Sequence, residues 1–218
     1  MSKVMLCYGL SKSHAGILLS GNYLTLRELQ QVLHDVNEHS ALIRDKEGPL
    51  LALAYDLRKA YEGQRKVIKP PEHTPEIGTR YGVELLWPLL LFQCRLLRDA
   101  LAFMESKKPQ LAMTYLLEDV IESALAEDFG PDAREIIEHW NRLDTRHRYA
   151  GTKIDSRCAQ YCAWTKAQRR DGLSGLLLSL DSMYPALYPH WAKKGLTNLM
   201  APEKLDEWEG LEWPDPKW

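Results

Sequence analysis

The stretch Val83–Ser106, VELLWPLLLFQCRLLRDALAFMES, decides the architecture of this chain. Trp87, Leu90, Cys94, Leu97, Leu101 and Met104 recur at helical intervals and form one apolar stripe, while Leu89, Phe92, Leu96, Ala100 and Phe103 form another. A helix apolar on two flanks needs two packing partners. The spacing therefore predicts a mainly α fold, a helical bundle around a central helix at about 83–106. Pro88 shares the remaining face with Glu84, Arg95, Arg98 and Asp99, where a lost backbone hydrogen bond faces solvent and bends the rod.

Working outward, Lys3–Tyr8 and Ala15–Ser20 are short apolar runs bracketed by Gly9, Gly16 and Gly21, and read as a small N-terminal β-hairpin turned at Ser11–His14. Thr25 with Glu28 forms a capping-box pattern ahead of the stripe Leu26, Leu29, Leu33 and Val36. Gly48-Pro49 opens a second helix, since proline suits a first helical position. Pro70, Pro71, Pro75 and Gly78 make residues Val67–Thr79 a loop.

Beyond Ser106, helices are expected from Pro109 to Gly130 and from Pro131 onward through Ile136 and Trp140. A further helix runs through Ile154 and Tyr161 to an end near Gly172, and another through Leu176 and Met183 until Pro185 and Pro189 interrupt it. Residues 1–200 are read as a single helical domain and 201–218 as an acidic, Trp-rich tail.

The 218 residues are 45% hydrophobic and 27% charged, an ordinary balance for a globular protein. A formal charge of −2 argues against a general binder of nucleic acid or anionic membrane. Cys7, Cys94, Cys158 and Cys162 are too few for a disulfide scaffold, and the N-terminus lacks a signal-peptide pattern, so a cytoplasmic location is expected. The apolar run Leu85–Phe92 is far shorter than the roughly 20 residues of a membrane span.

The tail spaces Trp208, Trp213 and Trp218 among six acidic residues from Glu203 to Asp215. Tryptophan is a frequent binding anchor and an acidic, proline-broken segment does not fold alone, so the tail is expected to dock on something. The stretch Arg142–Arg170 carries eight basic side chains, Arg146 and Arg148 among them, against Asp144 and Asp155. It complements either the tail itself or an external acidic partner. Trp208, Trp213, Trp218, Arg146 and Arg148 are accordingly the candidate partner-binding residues.

Catalytic candidates are sparser. Arg134 with His139, and Arg142 with His147, match the Arg-x4-His spacing of all-helical HEPN-type ribonucleases, in which arginine holds a phosphate and histidine moves the 2′-hydroxyl proton. Cys158 and Cys162, one helical turn apart, supply only half a metal site, and Glu118 with Glu122 lacks the Glu-x-x-His partner of a two-metal bundle. No metal or cofactor is expected. His14, beside the hairpin turn, reads as a surface or capping residue.

The segments HAGILLSGNY from His14 to Tyr23 and YDLRKAYEG from Tyr55 to Gly63 resemble a bacterial family of unknown function that opens with a similar hairpin and helix pair; Asn22 stands where that pattern prefers aspartate. The resemblance covers about the first third of the chain and implies a bacterial, cytoplasmic protein. It offers Tyr55, Asp56 and Arg58 as polar candidates. The reading that follows is a non-catalytic interaction or regulatory protein acting through a protein partner or a second copy; the alternative is a metal-independent ribonuclease whose partner is RNA.

Overall fold

The computed structural model describes residues 6–147, 149–196 and 198–218. Lys3–Met5 of the expected first strand lie outside the described residues. In chain order the elements are β1 (Leu6–Leu10), β2 (Gly16–Gly21), α1 (Tyr23–His39), α2 (Pro49–Tyr61), β3 (Lys66–Ile68), β4 (Arg80–Leu86), α3 (Trp87–Leu101), α4 (Lys108–Phe129), α5 (Ala133–Asn141), α6 (Ala150–Ala163), α7 (Lys166–Leu178), α8 (Tyr184–Lys193) and α9 (Pro202–Asp206). The fold is mainly α with one small sheet.

The deciding stretch is a strand followed by a helix. Val83–Leu86 belongs to β4, and α3 begins only at Trp87, which corrects the expected helix start at Val83. Pro88 is then the second helical residue, where an N–H has no intrahelical partner, so it removes no hydrogen bond and no bend is needed. Both apolar stripes are buried along the helix: Trp87, Leu90, Cys94 and Leu97 on one, Phe92, Leu96 and Ala100 on the other. Phe103, beyond the end of α3 at Leu101, is 48% exposed, so the second stripe stops short of its expected limit.

The expected hairpin is part of a four-stranded sheet with strand order β1-β2-β4-β3. β3 lies in the stretch read as loop and pairs antiparallel with β4 at one edge, Lys66 opposite Gly82 and Ile68 opposite Arg80. Gly82 sits so close to β2 that a Cβ would meet Leu18 at 3.0 Å and the Leu19 carbonyl at 3.2 Å.

The chain divides into two compact units. The first comprises the residues up to Gly9, Ile17–Leu85 and Leu96–Ala124; the second comprises Leu10–Gly16, Leu86–Arg95 and Leu125–Trp218. In the first, α1 packs on α2. The N-cap of α1 is Asn22, whose side chain accepts from the Thr25 N–H at 2.8 Å, so the helix starts before the Thr25 capping box that the sequence suggested. Ser40 Oγ donates to the Ala100 carbonyl at 2.7 Å, and Arg98 chelates both oxygens of Glu118 while stacking on Tyr115. Glu118 is thereby an ion-pair partner, and its pairing holds the Arg98 guanidinium well above its ordinary value.

In the second unit α5 packs on α7, α9 on α6 and α8, and α7 runs against the turn Lys12–His14. The helix expected to continue to Gly172 stops at Ala163. Thr165 caps α7 through a full capping box with Gln168. Gly172 is no terminator: a Cβ there would enter the Trp164 ring at 2.7 Å. Pro185 starts α8 in its first turn and Pro189 lies inside it, so the prolines read as interruptions are accommodated in a helix.

Gly175, inside α7, faces the Asn198 carbonyl oxygen, which a Cβ would meet at 2.0 Å. Gly151, in the first turn of α6, has open space around it. Gly→Ala in a helix normally stabilises by about 0.5–1 kcal/mol, the expected result at Gly151, whereas Gly175→Ala should lose about 1–3 kcal/mol through overpacking. Urea midpoints of the two variants should move in opposite directions.

Candidate functional site

The histidine and arginine candidates meet differently from the spacing that suggested them. Arg142 caps the C-terminus of α5 and His147 lies in the connection before α6, so this pair is not on a helix at all. Arg134 and His139 share α5, but five residues turn a helix by about 140°, which places them on different faces. His139 and Arg142, three apart, line one cleft of about 230 Å³ together with Asp144, Asp181, Leu177, Trp191 and Leu196. Arg134 is exposed. His147 donates from Nε2 to the Leu180 carbonyl at 2.9 Å, and its buried Nδ1 has no partner among the described residues.

His139 is oriented by a relay that no linear motif reveals. Ser174 Oγ, on α7, donates to Glu135 Oε1 at 2.8 Å and lies 2.8 Å from His139 Nδ1. A hydroxyl has one proton, and here it goes to the carboxylate, so Nδ1–H donates to Ser174 Oγ. Nε2 then carries the lone pair. Burial is the main cause that lowers the His139 pKa below 6.5, with Glu135 opposing it, so the ring is neutral at pH 7. A neutral imidazole of fixed tautomer beside a guanidinium is equipped to take a proton from an anionic ligand.

The acidic residues of the cleft are already engaged. Asp144 pairs with Arg146 at 2.9 Å, and that hydrogen bond holds its carboxyl below the ordinary range. Asp181 Oδ1 accepts the Met183 N–H at 2.7 Å. The half-buried Trp191 supplies an aromatic wall and packs on Tyr184 at 5.8 Å between ring centroids.

A second polar centre of this unit surrounds the turn Lys12–His14. His14 Nδ1 meets Asp128 Oδ1 at 2.9 Å, and Trp87 Nε1 donates to the other carboxylate oxygen at 2.8 Å. The His14 side chain is only 12% exposed, against Phe129, which corrects its reading as a surface residue. Ser13 and His14 both adopt left-handed backbone, φ +57° and +53°, a strain that the fully buried Tyr161 helps hold by donating its hydroxyl to the His14 carbonyl. Only the isolated polar turn in the sequence pointed there. Its partner Asp128 is 114 residues away.

The tail docks within its own unit. Leu205 of α9 is buried, Arg157 donates to its carbonyl at 3.4 Å, Trp213 Nε1 donates to Asp155 at 2.9 Å, and Arg169 donates to the Pro216 carbonyl at 2.8 Å. Trp208 and Trp218 are half-buried. The basic stretch therefore meets the tail largely through carbonyl groups. Asp206 and Glu209 act on Arg157 at longer range, opposing the burial that lowers its pKa. Arg148 lies outside the described residues.

The remaining candidates are local ties. Cys158 and Cys162 are buried, and burial pushes both thiols up, Cys162 to about 11; among the described residues no cluster of three metal-ligating side chains occurs. In the first unit Asp56 pairs with Arg65 and Arg58 with Glu62, each at 2.8 Å, and Lys59 lies over the exposed Tyr55 ring. No helix of the described residues is long and apolar enough to cross a membrane.

No curated protein and no solved structure matches the chain. A family model does, over residues 6–215. The chain thus belongs to the family described as Domain of unknown function (DUF6904).

Proposed function

We propose that the protein cleaves single-stranded RNA without metal, with His139 as general base and Arg142 as phosphate clamp. The observation that supports this reading is the Glu135–Ser174–His139 relay, which leaves Nε2 as the acceptor of a ring whose residue lines the same cleft as Arg142. Nε2 takes the 2′-hydroxyl proton, O2′ bonds to phosphorus, the P–O5′ bond breaks, and the departing oxygen takes a proton from water. Arg142 stabilises the charge that builds on the non-bridging oxygens. The cleft of about 230 Å³ would hold part of one nucleotide, and Trp191 offers a stacking surface worth about 1–3 kcal/mol per base.

Labelled oligouridylate incubated in EDTA tests the proposal. Cleavage lost in His139→Ala and retained in His147→Ala supports it; cleavage that survives His139→Ala removes it. The lowered pKa of His139 adds a pH signature. The native state favours the neutral ring, so this contribution to stability is full above pH 6.5 and is lost as pH falls through the depressed native pKa. Melting temperature should drop between pH 7 and 5, with a shallower slope in His139→Gln.

A second reading, contact with another protein or a second copy of this chain, is favoured by Trp213, 39% exposed beside the exposed Leu211 although its indole N–H is engaged. Light scattering at micromolar concentration separates the two-copy version: the mass of one chain removes it. The setting proposed for either reading is the bacterial cytoplasm, in keeping with a set of cysteines that forms no disulfide among the described residues.

A further inference from the structure

Arg169 is among the most deeply buried large side chains of the protein, at 2% exposure, and its hydrogen bonds go to backbone carbonyls. Nε donates to the Tyr161 carbonyl at 3.0 Å, Nη1 to the Ser13 carbonyl at 3.4 Å, and Nη2 to the carbonyls of Cys162 and Pro216, both at 2.8 Å. The guanidinium also lies 5.4 Å from the centre of the Tyr161 ring. Among the described residues no carboxylate forms an ion pair with it. A buried guanidinium is ordinarily paired with an anion, because neutral carbonyls replace its hydration only in part.

The four acceptors differ in kind. Tyr161 and Cys162 belong to α6 and Ser13 to the strained turn, all fixed by the fold. Pro216 belongs to the tail after α9, which has no regular structure from Leu211 onward and which, among the described residues, is also tied to the unit by Trp213 donating to Asp155. That strap closes Arg169 from one side with a single backbone oxygen. An oxygen of a phosphate group would meet the same N–H with a full charge and a shorter, stronger bond.

We propose that Arg169 is the centre of an anion site for a phosphate oxygen, and that the strap at residues 212–218 occupies it through the Pro216 carbonyl. The site is distinct from the His139 cleft and does not depend on the chemistry proposed there. When the strap leaves, Arg169 keeps its three fixed acceptors and exposes Nη2; Asp215, whose charge acts on the adjacent Cys162, leaves with it, which raises the local potential.

The test measures inorganic phosphate binding by calorimetry, in a His139→Ala background so that the outcome is independent of cleavage. The chain lacking residues 212–218 should bind phosphate at least tenfold more tightly than the full chain, and Trp213→Phe, which loosens the strap, should fall between them. Arg169→Gln in the shortened chain should abolish the gain. An oligouridylate arm distinguishes sources: a polymer phosphodiester competes with inorganic phosphate, whereas failure to compete restricts the site to small phosphates. Equal phosphate affinity in the full chain, the shortened chain and Trp213→Phe overturns the proposal, as does a gain that persists in a folded Arg169→Gln. Phenylglyoxal mapping gives a readout that needs no Arg169 variant. Arg169 should react faster in the shortened chain and be protected by phosphate, and equal rates in the two chains contradict the site.

Discussion

Replacement of His139 by alanine is expected to lower RNA cleavage by 10²- to 10⁴-fold, the usual contribution of a positioned general base, while the protein stays folded. The effect follows from the tautomer. Ser174 fixes Nδ1 as the protonated nitrogen, so Nε2 is the only lone pair of the ring able to receive the 2′-hydroxyl proton. Ser174→Ala removes this control without removing the base, so its loss should be smaller and the acid limb of the pH–rate profile should move. With a native pKa below 6.5 that limb lies on the acid side of an unperturbed histidine, and the rate is level through neutrality. Arg142→Ala should reduce kcat with little change in KM, because the clamp acts on charge that builds as the bond breaks. Trp191→Ala should do the converse.

The largest stability effect is expected at Asp128. Asp128→Ala leaves the indole N–H of the fully buried Trp87 and the Nδ1 of His14 without an acceptor, at a cost of about 2–4 kcal/mol from two orphaned polar groups. Asp128→Asn keeps one acceptor oxygen and should lose roughly half as much. The pair also stabilises a turn with two left-handed non-glycine residues, so part of the cost is the release of that turn. Urea unfolding of Asp128→Ala, Trp87→Phe and the double variant should be non-additive, with Trp87→Phe recovering part of the Asp128→Ala loss.

The legibility of the fold followed the range of the signals. Gly48-Pro49 and Gly130 marked ends of α2 and α4 because capping is a local matter of missing N–H groups and left-handed backbone. Val83–Leu86 misled because four apolar or polar residues ahead of Trp87 continue a helical stripe as readily as they alternate in a strand, and only pairing with β3 and β2 decides between them. Gly172 misled for another reason: a glycine that makes room for Trp164 looks, in sequence, like one that ends a helix. For the site, His139 and Arg142 were visible as residue types, but their partnership was not, since the Arg-x4-His spacing joins each to a different residue. Ser174 reaches His139 across 35 residues, and no interval along the chain encodes that approach.

The same logic explains the tail. Its tryptophans suggested a docked segment, and in the structure it lies against the unit that carries it, through Arg157, Asp155 and Arg169, by two backbone carbonyls and the Trp213 indole rather than by its acids. A high effective concentration favours that arrangement over an external partner of equal affinity.

The most direct measurement of the central claim is mass spectrometry of the ends formed when the wild-type protein is incubated with oligouridylate in EDTA. The account predicts fragments ending in 2′,3′-cyclic phosphate, the product of O2′ attack, and none from oligodeoxyuridylate, which has no 2′-hydroxyl. Intact RNA after incubation with folded protein, or fragments with 3′-hydroxyl and 5′-phosphate ends, would contradict it.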